Sequence, residues 1–196
     1  MPLMSGRPTK RRDLLKYLLG AVVGAAATLT AFQVLPTNNR LRIIRYLGRR
    51  SVDVDLRGIA AGEIFTVTVD FNPVFVLKRS ADTVSHLAQQ NSSLRDYQSD
   101  YSDQPDDAKN SHRSIRPEIF VAYAICTHLG CSPAYSSDNS RNEIAKQWNG
   151  GYFVCPCHGS VYDAAGRVAK GVPAPLNLRI PDYEFIDDQT IRIFAT

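Results

Sequence analysis

Beyond residue 50, apolar and polar positions alternate over short runs separated by turn-forming residues. Stretches 51–56, 64–69 and 74–78, rich in Val, Ile and Phe, predict β-strands, with Gly58, Gly62 and Asn72-Pro73 as breakers. Residues 83–90 predict a short helix, and 91–114, dense in Ser, Asp and Asn, predict a long surface loop. A strand follows at 118–125. Residues 143–148 and 152–155 flank Asn149-Gly150-Gly151, which tolerates positive φ, so the two segments predict a hairpin. Alternation returns at 176–180, 183–186 and 190–194. No internal repeat is present, and the body predicts a mainly β fold.

Ahead of the body the pattern changes. Residues 17–35 carry no charge, are rich in Leu, Val and Ala, and end at Pro36. That length approaches the ~20 residues a helix needs to cross a bilayer core. The preceding Lys10-Arg11-Arg12-Asp13-Leu14-Leu15-Lys16 resembles a twin-arginine export signal, which sends folded, cofactor-loaded proteins across a bacterial inner membrane. The expected organisation is a cytoplasmic N-terminus (1–16), a transmembrane anchor (17–35), a tether (36–50) and a head domain (51–196) outside the cytoplasm. A cleaved signal peptide is the alternative, with Ala25-Ala26-Ala27 as the small-residue site. Against it, the apolar stretch continues to Leu35.

Charge sharpens that division. The formal net charge of +4 is uneven: residues 1–50 hold ten Lys/Arg against the single acid Asp13, while the remainder is net negative. A phosphate-backbone binder needs the opposite arrangement, so nucleic acid is not an expected partner.

All four cysteines and two of the four histidines fall in two short boxes, Cys126-Thr127-His128-Leu129-Gly130-Cys131 and Cys155-Pro156-Cys157-His158-Gly159-Ser160, the second continuing Val161-Tyr162-Asp163. Cys and His at such spacing signal metal ligation. A Cys₂His₂ zinc site is the bland reading. Each box, however, has one Cys more than that set needs, and the Gly and Pro content suits loops that approach a cofactor closely.

The boxes resemble those of the Rieske [2Fe–2S] proteins, most closely the iron–sulfur subunits of ubiquinol–cytochrome c reductases (cytochrome bc1 complexes). The resemblance extends through the anchor, Val74–Ser80, Leu94-Arg95-Asp96, Arg116-Pro117-Glu118 and the segment from Gly166 to Leu178. It implies an antiparallel β-sheet sandwich head with a small cluster-binding subdomain at about 120–175. It implies Cys126 and Cys155 as ligands of one iron, His128 and His158 as ligands of the other, and a disulfide between Cys131 and Cys157. Neutral imidazoles in place of two thiolates raise the potential to roughly −150 to +300 mV. Ser160 and Tyr162 would donate to cluster sulfurs, and Gly171, Pro173 and Pro175 belong to a proline lid. Val172 departs from the family's Gly-Pro-Ala-Pro form, and the Arg-rich tether departs from a small-residue linker.

By the same resemblance, His128, His158 and Leu129 meet ubiquinol at cytochrome b, the imidazoles accept its proton, and the electron passes to cytochrome c1 in a dimeric inner-membrane complex. Rivals are the small subunit of an arsenite-oxidase-type enzyme, a bf-type subunit, or a zinc-stabilised, membrane-tethered interaction module. Rieske ferredoxins and ring-hydroxylating oxygenases normally lack the extra cysteines. His86 and His112 lie in polar sequence and are expected at the surface, and Trp148 is expected in packing.

Overall fold

A computed structural model of the chain describes residues 16–23, 48–87, 89, 92–148 and 150–195, and among these the short apolar-rich runs give nine strands. The chain divides into two units, Met1–Gly48 and Arg49–Thr196. In the first, residues 16–23 are helical, with Tyr17, Leu18, Leu19, Val22 and Val23 exposed. Among the described residues no helix is long and apolar enough to cross a membrane. The twin-arginine segment, most of the expected anchor and nearly all of the tether lie outside the described residues.

The second unit contains three antiparallel three-stranded sheets. The first orders β1 (Ser51–Asp55), β9 (Thr190–Phe194) and β8 (Tyr183–Phe185), so the two ends of the unit pair with each other. The second orders β2 (Ile64–Val69), β3 (Asn72–Lys78) and β4 (Ile119–Tyr123). The β2–β3 turn places Asp70 and Phe71 at positive φ (47° and 67°), the two-residue geometry that matches the twist of a hairpin. Every residue of β4 is buried, so this strand reads as a continuous apolar run. The third sheet orders β5 (Ala134–Ser136), β6 (Tyr152–Val154) and β7 (Val161–Asp163), and the loops at its edge carry both Cys/His boxes. Fully buried Phe153 on β6 joins this sheet to the second, its ring centroid 5.4 Å from that of Phe75 and 6.0 Å from that of Phe120. The mainly β, antiparallel expectation describes this architecture.

Three local expectations are corrected. Residues 143–148 do not form a strand: Asn142 Oδ1 accepts from the backbone N–H of Ile144 and Ala145, and a 3₁₀ turn follows at Ala145–Gln147. β6 pairs instead with β5 and β7. The polar stretch 91–114 is not merely a surface loop, because Asp96, Ser99, Ser102, Arg113 and Ser114 are buried. Its polar groups satisfy one another: Ser102 Oγ donates to Asp96 Oδ2 at 2.7 Å, and Asn177 Nδ2 donates to Ser99 Oγ at 2.8 Å. Residues 176–180 form no strand either, since Leu178 N donates to Gly166, Ile180 N to Asp103, and Arg179 O accepts from Tyr123. Three different partners make extended backbone without a ladder. The short helix forms at Ala81–Leu87, slightly earlier than expected. Trp148 is buried and donates to Ser93 Oγ, while His86 and His112 are partly exposed.

A disulfide joins Cys131 to Cys157 across 26 residues. Replacing both cysteines by serine is expected to lower the unfolding free energy by up to about 3.5 kcal/mol through the freed chain entropy, read by thermal unfolding. Gly166 sits at φ +67°, and a Cβ there would lie 2.7 Å from Phe120 Cζ. Left-handed backbone and overpacking together predict that Gly166→Ala costs about 2–4 kcal/mol in the same measurement.

Candidate metal centre

The two boxes fold into matching turns. In the first, Gly130 N donates to Cys126 O and Cys126 N to Cys131 O; in the second, Gly159 N donates to Cys155 O and Cys155 N to Ser160 O. Gly130 and Gly159 occupy the left-handed region (φ +85° and +73°), which lets each chain reverse within a few residues. The outcome is two loops facing each other at one end of the third sheet, with Cys126 and Cys155 at corresponding buried places.

These two cysteines are free thiols, whereas Cys131 and Cys157 are joined to each other. The sulfurs of Cys131, Cys155 and Cys157 lie within 4.8 Å of one another, so the disulfide presses against one free thiol. Two of those three sulfurs are spent in the crosslink, and the trio is not an open ligand set. Burial pushes the Cys155 thiol up, and adjacent Cys126 pushes it further, so two bare thiolates here would be unfavourable without a cation.

Two imidazoles sit on the same two loops, outside the trio of mutually close sulfurs. The His128 and His158 rings lie edge to face, centroids 4.7 Å apart. Nδ1 of His128 is buried with no hydrogen-bond partner, while His158 is exposed and Leu129, between the ligand candidates, is 71% exposed. A buried ring nitrogen left unpaired carries a desolvation cost of about 1–3 kcal/mol. A metal on the inner side of the ring removes it. Two buried thiols, one inward-facing orphan nitrogen and a second imidazole at contact distance therefore suit a metal–sulfur centre held between the loops.

Hydroxyl groups surround the same point. Tyr162, fully buried on β7, places its Oη 3.1 Å from Cys126 Sγ. Thr127 N donates to that Oη at 3.3 Å, and Thr127 Oγ1 donates to Leu176 O at 2.6 Å. With Thr127 N donating to it, the Tyr162 hydroxyl has its own proton left for Cys126 Sγ or Thr127 Oγ1. Burial, reinforced by Cys126, raises the Tyr162 pKa, so the phenol stays a neutral donor. Ser160 Oγ is fully buried and accepts from Ala174 N at 3.0 Å, which keeps its own proton available.

That bond also ties down the proline segment. Val172 and Ala174 point inward and are buried; Gly171, Pro173 and Pro175 are exposed. Arg95 Nη2 holds Val172 O at 3.1 Å. The additional Val172 is therefore absorbed by burying its side chain. Thr127, which couples Tyr162 to Leu176, was not singled out from sequence, because a Thr beside a ligand has no spacing signature of its own.

A Rieske [2Fe-2S] domain model matches residues 104–184. The "Ubiquinol-cytochrome c reductase iron-sulfur subunit" of Allochromatium vinosum is 44% identical over 142 residues, covering 72% of this chain and 68% of its own. The protein of the same name from Blastochloris viridis is 36% identical over 188 residues, covering 94% and 93%. "Cytochrome b-c1 complex subunit Rieske, mitochondrial" of Candida albicans is 34% identical over 188 residues, covering 93% and 76%. With this likeness spanning both turns and the sheet beneath them, the chain belongs to the Rieske [2Fe–2S] iron–sulfur subunits of the ubiquinol–cytochrome c reductase family.

Proposed function

We propose that this chain carries electrons from ubiquinol, bound at cytochrome b, to cytochrome c1 within a dimeric bc1 complex of a bacterial inner membrane. The observation that carries the reading is the buried, unpartnered Nδ1 of His128, on a loop that together with its counterpart carries two free buried thiols. In this assignment Cys126 and Cys155 hold one iron and His128 and His158 the other. When bound, the [2Fe–2S] group supplies a one-electron acceptor whose potential is raised by its neutral imidazole ligands.

The chain's own residues do the rest. With Nδ1 of His128 turned inward, Nε2 is left on the outer side to accept a hydrogen bond from a quinol hydroxyl and to hold its proton. Exposed His158 offers a second acceptor beside it. Leu129 packs on the quinol pocket, removing apolar surface from water at the contact. Pro173 and Pro175 keep the lid in one shape at little entropic cost, and so limit water near the thiolates. Tyr162 and Ser160 stabilise negative charge on sulfur, which favours the reduced form.

The proposed organisation follows the same reading. Residues 1–16 face the cytoplasm, 17–35 anchor the chain, 36–50 form the tether, and 51–196 form the periplasmic head with its cluster-binding subdomain at about 120–175.

His158→Ala in the assembled complex is expected to abolish both acid-labile sulfide and quinol oxidation; normal cluster content with undiminished turnover would refute the role. Tyr162→Phe is expected to retain the cluster but lower its midpoint potential. Loss of a hydrogen bond to a charged sulfur, at about 1.5 kcal/mol, corresponds to roughly 60 mV for one electron. Redox titration followed by electron paramagnetic resonance reads the shift.

A further inference from the structure

Arg79, Arg113 and Arg167 are buried, the last two completely. Their guanidinium groups converge on one short turn. Arg79 Nε donates to Ala164 O at 3.0 Å; Arg113 Nη1 donates to Ala165 O at 2.9 Å and Gly166 O at 3.3 Å. Arg167 pairs with fully buried Asp163 at 2.7 Å and donates to Leu87 O at 2.6 Å. Other donors of Arg79 and Arg113 reach outside the turn, Arg79 to His112 O and Pro117 O, Arg113 to Leu178 O and Gln104 Oε1, while Arg167 Nη1 is buried without a hydrogen-bond partner.

Filling space does not require this. A hydrophobic side chain of equal volume avoids the desolvation cost of a buried cation, which is often the more stable choice. Burial drags Arg79 down to about 10 and Arg113 to about 9, a sign of how strongly the site opposes charge. What the guanidinium supplies is a rigid fork that fixes several carbonyls at once.

The braced turn closes the hairpin that bears Tyr162. Its arms are held by Asp163 N to Arg167 O at 2.9 Å and Ala169 N to Val161 O at 3.0 Å, with Tyr162 bridged to Val168. The phenol must reach Cys126 Sγ across 36 residues of sequence, and a bond of that kind weakens steeply with misalignment. We propose that Arg79, Arg113 and Arg167 are positioning residues that brace the turn 163–167 against the rest of the head, keeping the Tyr162 hydroxyl on Cys126 Sγ and thereby holding up the cluster's potential. The inference rests on the cluster assignment made above.

The test uses the full chain in its membrane complex, with iron and acid-labile sulfide content measured beside the midpoint potential for Arg113→Gln, Arg113→Lys, Tyr162→Phe and the double variant Arg113→Gln/Tyr162→Phe. Both Arg113 variants are expected to keep the cluster while the reduced-to-oxidised ratio at a fixed ambient potential falls about threefold or more. The double variant should match Tyr162→Phe alone, because the arginine acts through that hydroxyl. An unmoved potential in Arg113→Gln, recovery with lysine, or additive shifts in the double variant would each overturn the proposal. If Arg113→Gln loads no iron, Gln104→Leu, which removes one anchor of the same guanidinium, replaces it under the same criteria. A wild-type chain without iron and labile sulfide would instead overturn the cluster assignment itself.

Discussion

One imidazole nitrogen, His128 Nδ1, is buried with no hydrogen-bond partner among the described residues, on loops that also carry two buried, unlinked thiols. That constraint organises the cluster end of the head. Cys126 and Cys155 are buried and unlinked, and His128 Nδ1 is buried and unbonded. The unpaired nitrogen is costly in the folded chain, and a metal bound there would remove that cost. The turns that present these atoms hold together through backbone bonds, the Cys131–Cys157 crosslink and the lid, and a group bound between them would couple fold to cofactor by removing the remaining penalty.

The same economy explains the layout around the site. Outward-facing groups, His158 and Leu129, are those that a partner or substrate would meet. Inward-facing hydroxyls, Tyr162 and Ser160, are each fixed by a structural bond, to Thr127 N and Ala174 N respectively, and Tyr162 Oη also lies 3.1 Å from Cys126 Sγ. Behind them, the second sheet and the loop 91–114 form a rigid support. Phe153 transmits packing between sheets, and buried arginines fix the carbonyls of the turn 163–167. In the proposed role, such bracing would leave the Tyr162 and Ser160 hydroxyls little to reorganise when charge arrives.

Much of this was legible in the chain. The two boxes stood out because every Cys and two of the four His fall in them, and strands β1, β2, β3, β8 and β9 announced themselves as short apolar-rich runs between breakers. The pairing of Cys131 with Cys157 came from family resemblance, since spacing alone leaves several pairings open. Less was legible where side chains compete with backbone pairing. Asn142 Oδ1 accepts from Ile144 N and Ala145 N at the entry to a 3₁₀ turn where the Asn149-Gly150-Gly151 hairpin signal suggested a strand, and residues 176–180 are extended yet serve three separate partners. The loop 91–114 looked solvent-borne because polarity was read as exposure. Its Asp96, Ser102 and Arg113 are buried through mutual and carbonyl-directed hydrogen bonds, a tertiary arrangement with no local signature.

Chemical analysis of the purified, membrane-extracted protein reaches the central claim most directly. The account predicts two irons and two acid-labile sulfides per chain, with no stoichiometric zinc. One zinc per chain, with neither iron nor labile sulfide, would contradict it.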